Sequence, residues 1–268
     1  HQLAKQHKLS PSPPLPLAHS SPWSPPVLVE WNTIRLLAPE VLLVIAASAI
    51  FVAGAFTRNR AWWSFASNIA NIAAAIVLAS QNWQDLNFSI ITGPVVIDPM
   101  SLGLRWLGLL VGLVFTLAAS RLADEDFASE FFGCLMLIAT GIMITASANE
   151  LVLLFLGLEL ISIPTYVLLF LGRRDKASGE ATMKYFFLSI LSSGLLLYGF
   201  SFLFGLGKTT LIAGTADHPG IREALTSSAS LGVFAPLAPL ALILVVAGLG
   251  FKLAIAPLQF YAPDVYQG

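Results

Sequence analysis

Three ionisable side chains stand in runs of sequence that are otherwise close to hydrocarbon. Glu159 lies in FLGLELISIP (155–164), Lys184 in ATMKYFFLSI (181–190) and Lys252 in VVAGLGFKLAIAPL (245–258). A charge near the centre of a bilayer costs at least about 2.5–3.5 kcal/mol, so such a group faces a partner, a cavity or water rather than lipid. The two signs present here suit an ion-pair group whose members titrate together. The chemistry this allows is proton transfer, because lysine and glutamate both change charge when their surroundings change.

Two of the three charges are followed by proline at the same offset, Pro164 after Glu159 and Pro257 after Lys252. A helical proline removes the hydrogen bond to the carbonyl four residues back. The spacing therefore frees the carbonyls of Leu160 and Leu253 and predicts two helix breaks beside the charges. Broken helices at membrane depth line hydrated cavities or are buried in protein, and in transporters they mark ion sites. On the Glu159 helix, Ser162 and Tyr166 fall three and seven residues on and extend a polar face. A plainer reading also stands, in which Glu159 and a lysine form a structural pair that fixes helix packing. Lys184 reads equally well as an interfacial anchor.

The elements that must hold these residues are membrane helices. The chain of 268 residues is 56% hydrophobic and 11% charged, with a mean hydropathy of +0.79. Soluble domains carry about 25% charged residues, so a water-facing surface is excluded. Apolar runs long enough to cross a bilayer recur along the sequence. They predict an all-α, polytopic transmembrane bundle of about seven spans. The spans fall near 37–56, 61–80, 101–120, 131–148, 149–171, 183–206 and 236–257. Residues 1–35, rich in Pro and Ser, are expected to form a disordered tail, and 36–268 the transmembrane domain. The chain begins at His1 and stops at Gly268 after APDVYQ, and is expected to be a fragment of a longer protein.

Basic residues sort the loops. Arg58 and Arg60, Arg121, and Arg173, Arg174 and Lys176 fall in three turns that alternate with the poorly basic ones. The positive-inside rule puts those three turns inside and the N-terminus outside. Glu40 and Arg105, near the ends of their spans, read as interfacial side chains that reach water, with Glu40 structural. A net charge of -1 gives no basic surface for nucleic acid. Cys134 is a lone apolar-run cysteine, and none of the four histidines lies in a span, so no metal is expected. GLGKTT (205–210) lacks the first glycine of a phosphate-binding loop, since position 202 is Phe202, and no strand precedes it.

Two longer blocks carry a resemblance. They are LFLGLELISIPTYVLLFLGRRDKASGEATMKYFFL and GFKLAIAPLQFYAPDVYQG, supported by IDPMSLGLRW at the start of the third span. Together they resemble the antiporter-like membrane subunits of respiratory complex I, the proton-translocating NADH:quinone oxidoreductase. The E-A-x-x-K-Y-F block favours the subunit N branch. The resemblance implies an inverted-repeat fold with broken helices, of which this chain would hold the N-terminal part. It implies that Glu159, Lys184 and Lys252 match the proton-pathway carboxylate and lysines, with Pro164 and Pro257 supporting the breaks. It also implies a multi-pass subunit of the cell inner membrane that works with other membrane subunits, the lipid bilayer and protons. NADH and quinone would be used by the whole complex, with no cofactor and no redox chemistry in this chain. Two positions depart from the family pattern, Gln259 and Tyr261, where histidine and tryptophan are usual. A stand-alone cation/proton antiporter subunit is the alternative, and a purely structural membrane scaffold is a third reading.

Overall fold

The computed structural model describes residues 31–81, 90–121, 123–172, 176–214, 219–226 and 236–267. The Pro/Ser-rich tail read at 1–35 lies outside the described residues up to position 30. Its last residues instead form a short helix, α1 (Trp31–Leu36). The main helices follow as α2 (Ala38–Gly54), α3 (Arg60–Ser80), α4 (Pro99–Ala119), α5 (Ala128–Ser147), α6 (Leu151–Gly172) and α7 (Lys176–Gly207). A short α8 (Ile221–Thr226), then α9 (Leu237–Lys252) and α10 (Ala262–Gln267), complete the order. Among the described residues, α3 to α7 are long and apolar enough to cross a membrane, and α2 and α9 are shorter apolar helices. The protein is a polytopic helical bundle, and among the described residues five span-long helices and two shorter apolar ones lie over the seven expected positions.

Local sequence fixes several helix starts. Asp98 caps α4 in a reciprocal box: Ser101 N donates to Asp98 Oδ1 at 2.6 Å, and Asp98 N donates to Ser101 Oγ at 2.9 Å. Pro99 follows in the first turn, where its missing N–H costs nothing. Asn59 caps α3 by accepting from Trp62 N at 3.2 Å. The sequence reading missed a small hairpin before α4, formed by β1 (Ile90–Thr92) and β2 (Val95–Ile97). Gly93, with φ 55°, opens its two-residue turn, where a hairpin requires positive φ.

The apolar interior divides in two. One core joins α2 to α5 around Leu43, Leu78, Leu109, Phe132 and Met136. The other joins α6, α7 and α9 around Leu151, Leu196, Phe200 and Ala241. On one side of the bundle Arg58 pairs with Asp126 at 3.0 Å, and Arg60 Nη1 donates to Ala123 O at 3.2 Å. Those contacts bring together two of the basic turns. On the other side Asn149 clamps three segments. Its Nδ2 donates to Gly93 O at 2.9 Å and to Ala213 O at 3.0 Å, and its Oδ1 accepts from Ala213 N at 2.9 Å. The turn between α5 and α6 is thereby tied to the hairpin and to the segment after α7, which sets the height at which α6 enters the bundle.

Glu40 and Arg105 do not reach water. Both are fully buried, and the guanidinium grips the carboxylate with two bonds, Nε to Oε1 at 2.7 Å and Nη2 to Oε2 at 2.9 Å. Nη2 also donates to Leu36 O at 2.7 Å. Glu40 sits in the first turn of α2 and Arg105 in the second turn of α4, each on the face toward the other. Single substitution leaves a buried charge uncompensated, which costs about 3–5 kcal/mol, whereas removing both charges costs less. Glu40→Leu is therefore expected to lower the thermal stability of the detergent-solubilised protein more than the double change Glu40→Leu/Arg105→Leu. Unfolding followed by circular dichroism checks the order.

Candidate functional site

Three helices converge on Glu159. It lies midway along α6, on the side that meets α7 and α9. Lys252 Nζ, in the last turn of α9, donates to Glu159 Oε1 at 3.0 Å. It also donates to Ser162 Oγ, one turn further along α6, at 2.9 Å. Ser162 Oγ in turn donates to Leu158 O at 2.9 Å, so its lone pairs are left for the ammonium. From α7, Ser193 Oγ donates to the same Glu159 Oε1 at 2.6 Å. The lysine and glutamate side chains are 9% and 20% exposed, a largely enclosed pair. One carboxylate oxygen thus serves an ammonium and a hydroxyl at once, and the ammonium has a hydroxyl as a second partner. Protonation of Glu159 would leave Lys252 held by Ser162 alone.

Close helix packing delivers Lys252 to this point. Gly248 lies against Leu196, where a Cβ would stand 3.0 Å from the backbone nitrogen and Cα. Gly199 meets Val245 in the same way. Ser192 Oγ bonds across the joint to Gly248 O at 2.7 Å. Small residues at a membrane helix crossing let backbones approach and make such bonds possible.

The two expected proline breaks come out differently. α6 runs unbroken from Leu151 to Gly172 with Pro164 inside it. The ring removes one hydrogen bond, and the neighbouring turns hold: Thr165 Oγ1 bonds Ile161 O at 2.6 Å. α9 does stop, but at Lys252 rather than at Pro257. Ile255 N donates to Gly250 O at 2.9 Å and Ala254 N to Phe251 O at 3.0 Å, with Ala254 at φ 50°. This is the αL termination in which the two bonds close the last carbonyls. Because proline cannot continue a helix, the chain turns away ahead of it. The outcome places the lysine at the negative end of the helix dipole, where a cation is favoured. Tyr261 covers the turn, its ring stacked on Phe251 at 4.5 Å and its hydroxyl donating to Phe251 O at 2.7 Å.

Lys184 is placed elsewhere. Its Nζ lies 2.8 Å from Glu180 Oε1, one turn back on α7, and the side chains are 47% and 68% exposed. That face of α7 also carries the exposed Met183 and Phe187. Sequence reasoning missed Ser193, although serines and threonines recurring on one face of α7 are a readable signal. Among the described residues no group of three or more His, Cys, Asp or Glu could hold a metal ion.

Residues 148–268 match the family described as NADH:quinone oxidoreductase/Mrp antiporter, transmembrane. NADH-quinone oxidoreductase subunit N of Laribacter hongkongensis is 35% identical over 249 residues, covering 90% of this chain and 49% of that protein. F(420)H(2) dehydrogenase subunit N of Methanosarcina mazei is 33% identical over 244 residues, covering 88% and 48%. Among solved structures, a chain of respiratory complex I from Thermus thermophilus with bound aureothin superposes with a TM-score of 0.66 at 28% identity, covering 86% of this chain and 47% of that one. The chain spans about half the length of the curated relatives it matches.

Alanine at the αL position beyond Lys252 carries a steric cost that glycine lacks, about 1 kcal/mol. Ala254→Gly is expected to stabilise the α9 terminus by about that amount, provided the added freedom of the unfolded chain does not offset it. Slower amide exchange at Ile255 would report the gain.

Proposed function

From the match of residues 148–268 to the NADH:quinone oxidoreductase/Mrp antiporter transmembrane family, we propose that this chain is part of a proton-translocating membrane subunit of a quinone-reducing respiratory complex. The observation that carries the reading is the Glu159–Lys252 pair, with its shared carboxylate oxygen midway along α6 and its ammonium at the end of α9. The ammonium and the carboxylate compensate each other at 3.0 Å. Drawing the carboxylate off, or protonating it, leaves a buried charge without its counter-charge, which is costly in a poorly solvated place. Passing the proton onward relieves that cost, and the return of the carboxylate readies the site for the next one. Any motion that separates α6 from the end of α9 would drive this cycle.

Residues 36–268 would form part of an antiporter-like domain, with the basic turns on the inner side of the cell membrane and the N-terminus outside. NADH and quinone would be handled by other subunits of the complex, which acts as a translocase. The relative named for F(420)H(2) is nearly as similar as the one named for NADH, which supports placing the choice of electron donor in those other subunits. Lys184 and Glu180 form a second ion pair on the far face of α7, apart from the Glu159–Lys252 pair. Pro164 and Pro257 shape the helices on either side of the pair. The Mrp half of the family name keeps a cation/proton antiporter as the second reading. Co-purification with quinone-reducing subunits separates the two.

The test is Glu159→Ala and Lys252→Ala in the intact membrane complex, with protons moved per electron as the measurement. Both are expected to remove most of the pumping, since each variant deletes one partner of the pair and leaves the other charge uncompensated inside the bundle. Unaltered pumping in both variants would overturn the mechanism.

A further inference from the structure

Hydroxyl groups repeat along one line of α7. Ser178, Thr182, Tyr185, Ser189 and Ser193 are spaced by four, three, four and four residues, the spacing that keeps side chains on one helix face. Both ends of the line are fixed on α6. At one end Ser178 Oγ donates to Leu169 O at 3.0 Å. At the other Ser193 Oγ donates to Glu159 Oε1 at 2.6 Å. The line therefore follows the seam between α6 and α7, from the end of α7 beside the basic turn to the carboxylate of the ion pair. Lys184 and Glu180 lie on the opposite face. Ser178, Thr182 and Ser189 are all buried, at 0%, 8% and 4% exposed. The ring of Tyr185 stacks on Tyr261 at 5.7 Å and closes the seam on the α9 side.

A serine or threonine in a membrane helix ordinarily returns its proton to a carbonyl of its own helix or bonds across to a neighbour. Thr182 does neither. Its Oγ1 is buried and has no hydrogen-bond partner among the described residues. An unpaired buried hydroxyl costs about 1–3 kcal/mol, so the site calls for a small polar ligand. Water is the ligand that fits. Ser178 to Thr182 and Ser189 to Ser193 are each separated by about 6 Å of helix rise, and Thr182 to Ser189 by about 10.5 Å. Two hydrogen bonds of about 2.8 Å in series bridge the shorter gaps with one water molecule, and a row of about three waters spans the longer one.

We propose that the Ser178–Thr182–Ser189–Ser193 line of α7 is the proton supply route to Glu159, a file of hydroxyls alternating with water. The proposal rests on the proton-translocation reading above and adds the path to it. In each hop an oxygen gains a proton from its neighbour on the basic side and gives its own proton to the next. One O–H bond forms as one breaks, and every hydroxyl ends with the number of protons it began with. The last transfer, from Ser193 Oγ, protonates Glu159 and frees Lys252 from its carboxylate.

Thr182→Val keeps the shape of the side chain and removes the hydroxyl, and Ser189→Ala interrupts the file one step nearer Glu159. Each variant goes into the complete membrane complex, reconstituted in vesicles, with proton uptake and its solvent deuterium isotope effect as readouts. Assembly is checked on native gels. Severalfold slower uptake with an enlarged isotope effect is expected for both variants, and near-normal uptake for Thr182→Ser. Packing alone would leave the isotope effect unchanged. Glu159→Gln in the same vesicles separates the two levels of the argument. If it pumps normally, the proton-translocation reading itself falls. If it stops pumping while Thr182→Val and Ser189→Ala pump normally, the route falls and the reading stands. Should Thr182→Val fail to assemble, Ser189→Ala decides alone, and normal uptake with an unchanged isotope effect rejects the route.

Discussion

An ammonium and a carboxylate inside hydrocarbon persist only when each satisfies the other and their remaining hydrogen-bonding capacity is also met. The Glu159–Lys252 pair meets this condition through two serines, and much of the surrounding bundle follows from it. α9 must pack on α7 through Gly248 and Gly199 to carry the lysine to the right height. It must end at Lys252, so that its terminal carbonyls add to the attraction for the ammonium. α6 must enter at a fixed level, which the Asn149 clamp sets from the opposite end.

The bundle holds a second ion pair near one membrane face, and the contrast between the two is informative. Glu40 and Arg105 are locked by two parallel bonds plus a backbone carbonyl, with almost no exposed surface. Guanidinium does not give up its proton under ordinary conditions, and its planar fork suits a permanent clamp. The Glu159–Lys252 contact is a single bond to one oxygen, and each partner also has a hydroxyl within reach. Lysine changes protonation readily when buried. One pair is built to stay closed, and the other is built with somewhere else to go.

The hydroxyls explain how such a site communicates with water without an open pore. Serine and threonine both donate and accept, so they pass a proton along while staying neutral. Placing them on the α6–α7 seam keeps the path away from lipid and away from the exposed Lys184–Glu180 face. Ser178 of the same line also ties α7 to α6 at Leu169, so the proposed path and the packing share a residue.

Hydropathy by itself determined the fold class and the positions of the apolar helices, because burial in lipid demands long apolar runs that any reading of composition detects. It also singled out Glu159 and Lys252, since an isolated charge in such a run is costly enough to need a reason. The matched prolines were a weaker guide. Pro164 is absorbed within α6, and α9 ends ahead of Pro257 through the turn at Ala254. Helix continuity depends on which neighbours take up the freed groups, and those neighbours come from elsewhere in the chain. For the same reason Glu40 and Arg105 read as interfacial until α2 and α4 are brought together. Lys184 read like Lys252 until the rotation of α7 turned it the other way. Sequence spacing tells which residues share a face of one helix, and only the packing of several helices decides what that face meets.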